Sequence, residues 1–432
     1  MNRFYVISPN VDGSGGKVED FLETMIEHHV TLMGWDEDNS KGQMFRRMEI
    51  GDYIICAQGA NKNKRVFFAG KVSSGTYGEW PYQRNLSGFT DLRKEKVLFN
   101  EDNSYGAASQ IPAIYELKNN IQADKLLCDF IKTKVDMAEK NETLEIITNI
   151  LKVKKNIILQ GAPGTGKTYS TAALALSIIG EPYDNENLMT KYNDLRDSGQ
   201  IEFVTFHQSM DYEDFIEGLK PSIENESITY KVEDGVFKKI CQKAKDNPDK
   251  NYVLIIDEIN RGNVSKIFGE LISLIEADKR IGGKDGHPLT ARLPYSKREP
   301  FGVPFNVYII GTMNTTDRSV GSVDYAIRRR FAFYTLKSDL TIVENSYSDE
   351  HKKQEAIQLF KAVKNYIQKT KTDMEVEDLM VGHSYFMYRK NEDIQQKWDY
   401  AILPLLIEYY KDGICSKNPE KDMWSFINTY SE

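Results

Sequence analysis

Asn156–Ile179 reads NIILQGAPGTGKTYSTAALALSII, and its three parts come in a fixed order. Asn156 to Gln160 is an apolar run of strand length. Gly161 to Thr168, GAPGTGKT, matches G-x-x-x-x-G-K-[ST] in full. From Tyr169 the chain is rich in alanine and leucine and meets no breaker until Gly180, so the pattern predicts a helix. Strand, glycine loop and helix in that order give the motif physical content. Gly161, Gly164 and Gly166 let the backbone turn tightly with N–H groups pointing inward, and the helix adds the positive end of its dipole. The stretch predicts a phosphate cradle of Gly161, Ala162, Pro163, Gly164, Thr165, Gly166, Lys167, Thr168 and Tyr169. In it Lys167 reaches the β- and γ-phosphates of a nucleoside triphosphate and Thr168 offers a hydroxyl to Mg2+. A glycine-rich turn that binds nothing is the plain alternative, and the flanking strand and helix weigh against it.

Downstream, EFVTFH (Glu202–His207) predicts a second strand, and VLIIDEINR (Val253–Arg261) a fully buried parallel strand with acids at its carboxyl end. That is the edge where α/β sheets bind ligands. Asp257 is placed to hold Mg2+ through water, and Glu258 to polarise an attacking water. A third apolar strand, VYIIGTMN (Val307–Asn314), ends on an asparagine expected between the acidic and phosphate-binding strands, where it can orient the water. SVDYAIRRRFAF (Ser322–Phe333) then carries Arg328, Arg329 and Arg330. Adjacent arginines at a helix end are usually a solvated patch. In a ring-forming nucleoside triphosphatase such an arginine reaches the neighbour's γ-phosphate, a contribution of roughly 10³–10⁵ in rate in related chemistry. From Asp339 onward the periodicity is helical, which predicts a small helical subdomain.

The whole chain sets outer bounds. Its 432 residues exceed what one core usually organises, so two or three domains are expected. With 40 % hydrophobic and 28 % charged residues it reads as an ordinary globular chain. There is no bilayer-length apolar run and the first residues do not read as a signal peptide, so a cytoplasmic protein with no membrane partner is expected. Cys56, Cys128, Cys241 and Cys415 are scattered, suggesting neither a zinc site nor a disulfide framework. A net charge of −8 argues against a generic polybasic nucleic-acid binder.

Upstream, residues 1–125 read as a separate, strand-rich α+β domain. FYVIS (Phe4–Ser8) and VTLMGW (Val30–Trp35) are strand-like, Val18–His28 has helical spacing, and Ser40–Met48 suits one or two helical turns. DYIICAQ (Asp52–Gln58) and RVFFAGKV (Arg65–Val72), joined by GANKNK, predict a hairpin. Trp80, Tyr82 and Phe89 fall in a polar, glycine-containing segment. This layout resembles the barrel-like domains of the PUA, EVE and YTH type, which grip a flipped modified base between aromatic rings. The resemblance makes Trp35, Trp80 and Tyr82 candidates for base stacking. Lys62, Lys64 and Arg65 are candidates for phosphate contacts. The bland reading has Trp35 in the core and the lysines on a solvated hairpin tip. Acids and bases nearly balance over this segment, so charge adds no support.

From the phosphate loop onward, order and spacing resemble the AAA+ superfamily. Within it the match is to the McrB-type motors of modification-dependent restriction systems. Four stretches carry the resemblance: TFHQSMDYEDFIEGLKP (Thr205–Pro221), DEINRGNVSKIFGELISLIE (Asp257–Glu276), GTMNTTDRSVGSVDYAIRRRFAF (Gly311–Phe333) and VGHSYFM (Val381–Met387). It implies an α/β P-loop nucleoside-triphosphatase fold with a small helical lid. The expected organisation is 1–125 for DNA recognition, 126–150 as a helical linker, 151–338 as the nucleotide-binding subdomain and 339–432 as the lid. The resemblance adds Asp317 and Arg318 of MNTTDRS to a catalytic set of Glu258, Asn314, Arg328 and Arg329. It places His383 near the phosphates, with a satisfied interdomain histidine as the alternative. It also implies GTP as the nucleotide, a hexameric ring, modified DNA as ligand and a separate McrC-type nuclease subunit. An ATP-driven remodelling protein of the MoxR kind, and a non-hydrolysing sensor, are the rival readings; the presence of both Asp257 and Glu258 disfavours the latter.

Overall fold

The computed structural model describes residues 3–12, 18–33, 40–58, 65–76, 82–95, 97, 114–117, 122–224, 227–284, 286–296, 299–315, 325–347, 349–370, 376–387 and 392–431. The chain forms two compact units, Met1–Glu145 and Ile146–Glu432.

In the first unit the strands are β1 (Phe4–Ile7), β2 (Asn10–Asp12), β3 (Val18–Asp20), β4 (Val30–Met33), β5 (Tyr53–Gln58), β6 (Arg65–Val72), β7 (Tyr82–Asp91) and β8 (Ile114–Glu116). Six make one sheet in the order β4-β7-β6-β5-β1-β8, in which only β1 and β5 run parallel; β2 and β3 form a separate ribbon. The runs FYVI and YIICA are apolar without alternation because the sheet is covered on both faces. Tyr5, Ile7, Ile54 and Cys56 enter one cluster, while Phe4, Val6, Tyr53 and Ile55 enter another with Cys128, Ile131 and Val135 of the helix Gln122–Lys154. That helix is pinned to the sheet by acids three residues apart. Asp136 accepts from Tyr53 Oη (2.7 Å), Glu139 accepts from Lys71 Nζ (2.6 Å) and Ser87 Oγ (3.0 Å), and Glu142 accepts from the Gly88 amide (3.1 Å).

One expectation for this unit needs correction. Val18–His28, expected to be helical, is the strand β3 followed by the helix Leu22–His28. The segment holding Tyr82 and Phe89 is the ten-residue strand β7, lying between β4 and β6. Its polar composition hid it: Arg84 and the Phe89 ring pack inward through partners far away in sequence, with Phe89 stacked on His29 at 4.3 Å.

In the second unit β9 (Asn156–Gly161), β10 (Ile201–Thr205), β13 (Tyr252–Asp257), β14 (Val307–Asn314) and β15 (Ala332–Thr335) form a parallel sheet, ordered β10-β13-β14-β9-β15. Between β10 and β13 an antiparallel hairpin is inserted, β11 (Glu217–Glu224) with β12 (Ser227–Asp234). Because the strands run the same way, Gly161, Asp257 and Asn314 all emerge at one edge, and Asn314 pairs in register with Gly161. A separate helical layer from Leu340 to Thr429 closes around Trp398, which is fully buried and donates from Nε1 to the Lys421 carbonyl at 2.8 Å. Among the described residues no helix is long and apolar enough to cross a membrane.

Below the sheet, at the opposite edge, Arg280 is buried among backbone acceptors. It donates to the carbonyls of Ile275 (3.0 Å), Pro304 (3.4 Å) and Val307 (2.5 Å), and to Asn156 Oδ1 (2.6 Å). Burial lowers its pKa to about 10, still charged at neutral pH. Arg280→Met removes the donor and leaves these acceptors buried. At ~1–3 kcal/mol for each unsatisfied group, a loss of about 3 kcal/mol or more is expected. It is read as a lower urea midpoint; an unchanged midpoint would show that water replaces the guanidinium.

Candidate nucleotide site

The phosphate loop has the backbone its glycines permit. Gly164 and Gly166 have φ of +79° and +80°, in the left-handed region where a side chain is strained, and the helix Lys167–Ile179 starts directly after. Thr165 Oγ1 donates to the Ala162 carbonyl at 2.9 Å and closes the loop. Lys167 Nζ donates to the carbonyls of Gly161 and Ala162, each at 2.9 Å. Burial pulls its pKa down to about 8, against the opposing pull of Glu258 and Asp257. A half-buried ammonium resting on neutral carbonyls, at the positive end of a helix, fits a site built for an anion. Thr168 is exposed next to it, and Tyr169 Oη donates to Asn185 Oδ1 at 2.8 Å.

Across the edge, the acids sit in a connected set. Thr312 Oγ1 donates to Asp257 Oδ1 (2.6 Å) and accepts from the Glu258 amide (3.2 Å). Asn314 Nδ2 donates to Glu258 Oε1 (2.5 Å), and Arg261 Nε donates to Glu258 Oε2 (3.2 Å). Glu258 itself is left-handed, with φ 52° and ψ 45°. The structure thus brings Lys167, Asp257, Glu258 and Asn314 to one place.

The helical layer reaches the loop from outside. The Gly382 amide donates to the Pro163 carbonyl (3.0 Å) and the Ser384 amide to the Gly164 carbonyl (3.1 Å). A Cβ on Gly382 would lie 2.0 Å from the Gly164 carbonyl carbon. His383 is buried, with Nε2 3.3 Å from where a Cβ on Gly166 would be.

The arginines at the end of the helix Tyr325–Arg330 differ from one another. Arg328 is exposed with its guanidinium 5.5 Å from the Phe333 ring centroid, and Arg329 is exposed and paired to Glu276. Asp317 and Arg318 lie outside the described residues, as do Trp35, Trp80, Lys62 and Lys64. Of the remaining N-terminal candidates, Tyr82 is half-buried with the Arg46 guanidinium 4.5 Å from its ring centroid, and Arg65 begins β6.

Residues 156–331 match the family described as AAA domain (dynein-related subfamily), and residues 355–417 match the McrB alpha-helical lid domain. The EcoKMcrB subunit of the type IV methyl-directed restriction enzyme of Escherichia coli K12 is 37 % identical over 358 residues, covering 79 % of this chain and 69 % of that protein. The chain belongs to the McrB family. A second relative, the YdiS component of the type II restriction enzyme BsuMI of Bacillus subtilis 168, is 26 % identical over 322 residues, covering 69 % of this chain and 90 % of that protein. As an AAA+ member of the McrB family, the chain is a nucleoside triphosphatase.

Membership does not by itself point to Thr312, which is absent from the residues the sequence motifs single out. The signal was there, a threonine two residues before Asn314 at the polar end of the strand VYIIGTMN. The Gly382 contact had none, since its partner lies some two hundred residues away.

Proposed function

We propose that this McrB-type chain is the GTP-hydrolysing motor and DNA-recognition subunit of a modification-dependent restriction system, with modified DNA bound through its N-terminal unit. It drives a partner nuclease of the McrC type and works as a homo-oligomeric, hexameric ring. The observation that carries the reading is the joined set of Lys167, Asp257, Glu258 and Asn314 at one sheet edge, in a chain related to a restriction-enzyme subunit along most of its length. Lys167 exchanges its two carbonyls for phosphate oxygens, a stronger charge-assisted contact. Thr168 and Asp257 are the residues that would hold Mg2+, which supplies charge neutralisation at the phosphates. Asn314 and Arg261 fix the Glu258 carboxylate so that it orients and polarises water. His383 stands behind the loop, and Arg328 or Arg329 acts on a neighbouring subunit. Tyr82 and Arg65, with Trp35, Trp80, Lys62 and Lys64, are the proposed DNA contacts.

Steady-state hydrolysis of GTP and of ATP by the full chain, with Lys167→Ala as control, tests this. GTP turnover well above that of ATP, absent in the control, is the expected result. A preference for ATP would move the assignment to a remodelling motor acting on proteins, and inertness toward both would end it. Binding of the full chain to methylated against unmodified duplexes tests the recognition half.

The lysine also sets a pH dependence. Its ordinary pKa is near 10.5, and in the folded protein it is about 8. An adjacent triphosphate favours the charged form and raises it again. Between the two values binding takes up a proton, so affinity falls with rising pH by about tenfold per unit above about pH 8. Calorimetry at pH 8.5 in two buffers of different ionisation heat reads this uptake directly; identical heats would refute it.

A further inference from the structure

Three arginines end one short helix, and their surroundings sort them. Arg330 is the anchored one, with its side chain only 10 % exposed. It donates from Nη1 to the Ala326 carbonyl (2.9 Å) and from Nη2 to Ser273 Oγ (3.3 Å), and its Nε lies 3.0 Å from Glu276 Oε1. Arg329 is 70 % exposed, yet its Nη2 donates to that same Glu276 oxygen at 2.7 Å. Arg328 has no carboxylate within reach among the described residues and lies against Phe333.

The backbone leading into Glu276 is itself held. Asn156, the first residue of β9, donates from Nδ2 to the Ile275 carbonyl and to the Arg330 carbonyl, each at 2.9 Å, and Arg280 in turn grips Asn156 Oδ1. One buried amide thus ties the residue before Glu276 to the end of the arginine helix, through the strand that leads into the phosphate loop. The charges also make sense together. An acid paired with a single arginine would cancel the field that arginine offers a neighbour. Shared between Arg329 and Arg330, Glu276 leaves the group with net positive charge while fixing the outer guanidinium. An unpaired arginine spreads over many rotamers, and such a clamp removes part of that freedom in advance.

We propose that Glu276 is the positioning residue of Arg329, one of the two arginines assigned above to the neighbouring subunit, and that Arg330 is the counter-charge that keeps Arg329 effective. The proposal rests on the motor reading above and deepens it.

The test uses two full-length variants, Glu276→Ala with its own phosphate site intact and Lys167→Ala with its arginines intact. Glu276→Ala alone is expected to lose about 10²-fold in kcat, the scale of a misplaced catalytic group. Its KM and its own binding of a fluorescent triphosphate should change less than about twofold, because the arginine acts on the transition state of another site. Mixing it with Lys167→Ala should restore turnover above either protein alone, since an intact phosphate site then meets an intact Arg329. A role confined to Glu276's own subunit gives no restoration. Arg329→Ala, a change at an exposed side chain, is the second variant and should complement in the same way if Glu276→Ala fails to fold. Wild-type kcat in Glu276→Ala, or no restoration with either variant, overturns the proposal. Inertness of the wild-type chain toward both triphosphates would instead overturn the motor reading.

Discussion

Glu258→Gln is expected to bind a nucleoside triphosphate as the wild type does and to turn it over about 10²–10⁴-fold more slowly. The carboxylate is acceptor-only and has one donor on each oxygen, Asn314 Nδ2 and Arg261 Nε. A glutamine keeps the shape but must present an NH2 group to one of these donors, so one contact is lost as well as the charge that polarises water. The loop amides and the hydrogen bonds of Lys167 to the Gly161 and Ala162 carbonyls are left in place, so binding survives. Single-turnover hydrolysis alongside equilibrium binding separates the two effects. Retention of more than a tenth of wild-type turnover would mean that another group activates the water.

The second large effect is expected from one added methyl. Gly382→Ala puts a carbon 2.0 Å from the Gly164 carbonyl carbon and 2.3 Å from its oxygen, both backbone atoms that no rotamer change can move aside. The segment must retreat, and the bonds from Gly382 to Pro163 and from Ser384 to Gly164 go with it. Gly164 is itself left-handed and closely faced by Ser384 and Tyr385, so the loop loses the wall that holds its shape. A fall in kcat/KM of about 10²–10³-fold is expected, on the scale of lost positioning. The helical layer has its own core around Trp398, so the urea midpoint should fall far less than Arg280→Met lowers it. Wild-type kcat/KM in Gly382→Ala would show that the layer does not support the loop.

The chemistry most readable from sequence is that whose parts are local. GAPGTGKT carries its own turn, amides and helix start within eight residues, and the acids and Asn314 announce themselves as polar ends of apolar strands. That the asparagine strand lies between the other two followed from the same logic, and β14 does pair with both β13 and β9. What escaped reading depends on pairs distant in sequence. Glu276 is one acid among many until Arg329 and Arg330 fold back on it, and Gly382 is one glycine until Gly164 is found beneath it. β7 carries no strand pattern of its own because its polar residues alternate with few apolar ones, and only its neighbours β4 and β6 make it a strand.

The left-handed backbone at Glu258 has a cost separate from its chemistry. An L-residue held there gives up on the order of 1 kcal/mol relative to ordinary backbone, and Lys155 and His29 are the other side-chain-bearing residues so described. Glycine at position 258 would relax that torsion while discarding the carboxylate. Selection for heat tolerance alone would therefore push this position toward an inert protein, and screens for hardier variants of the chain need a turnover assay beside the melting curve.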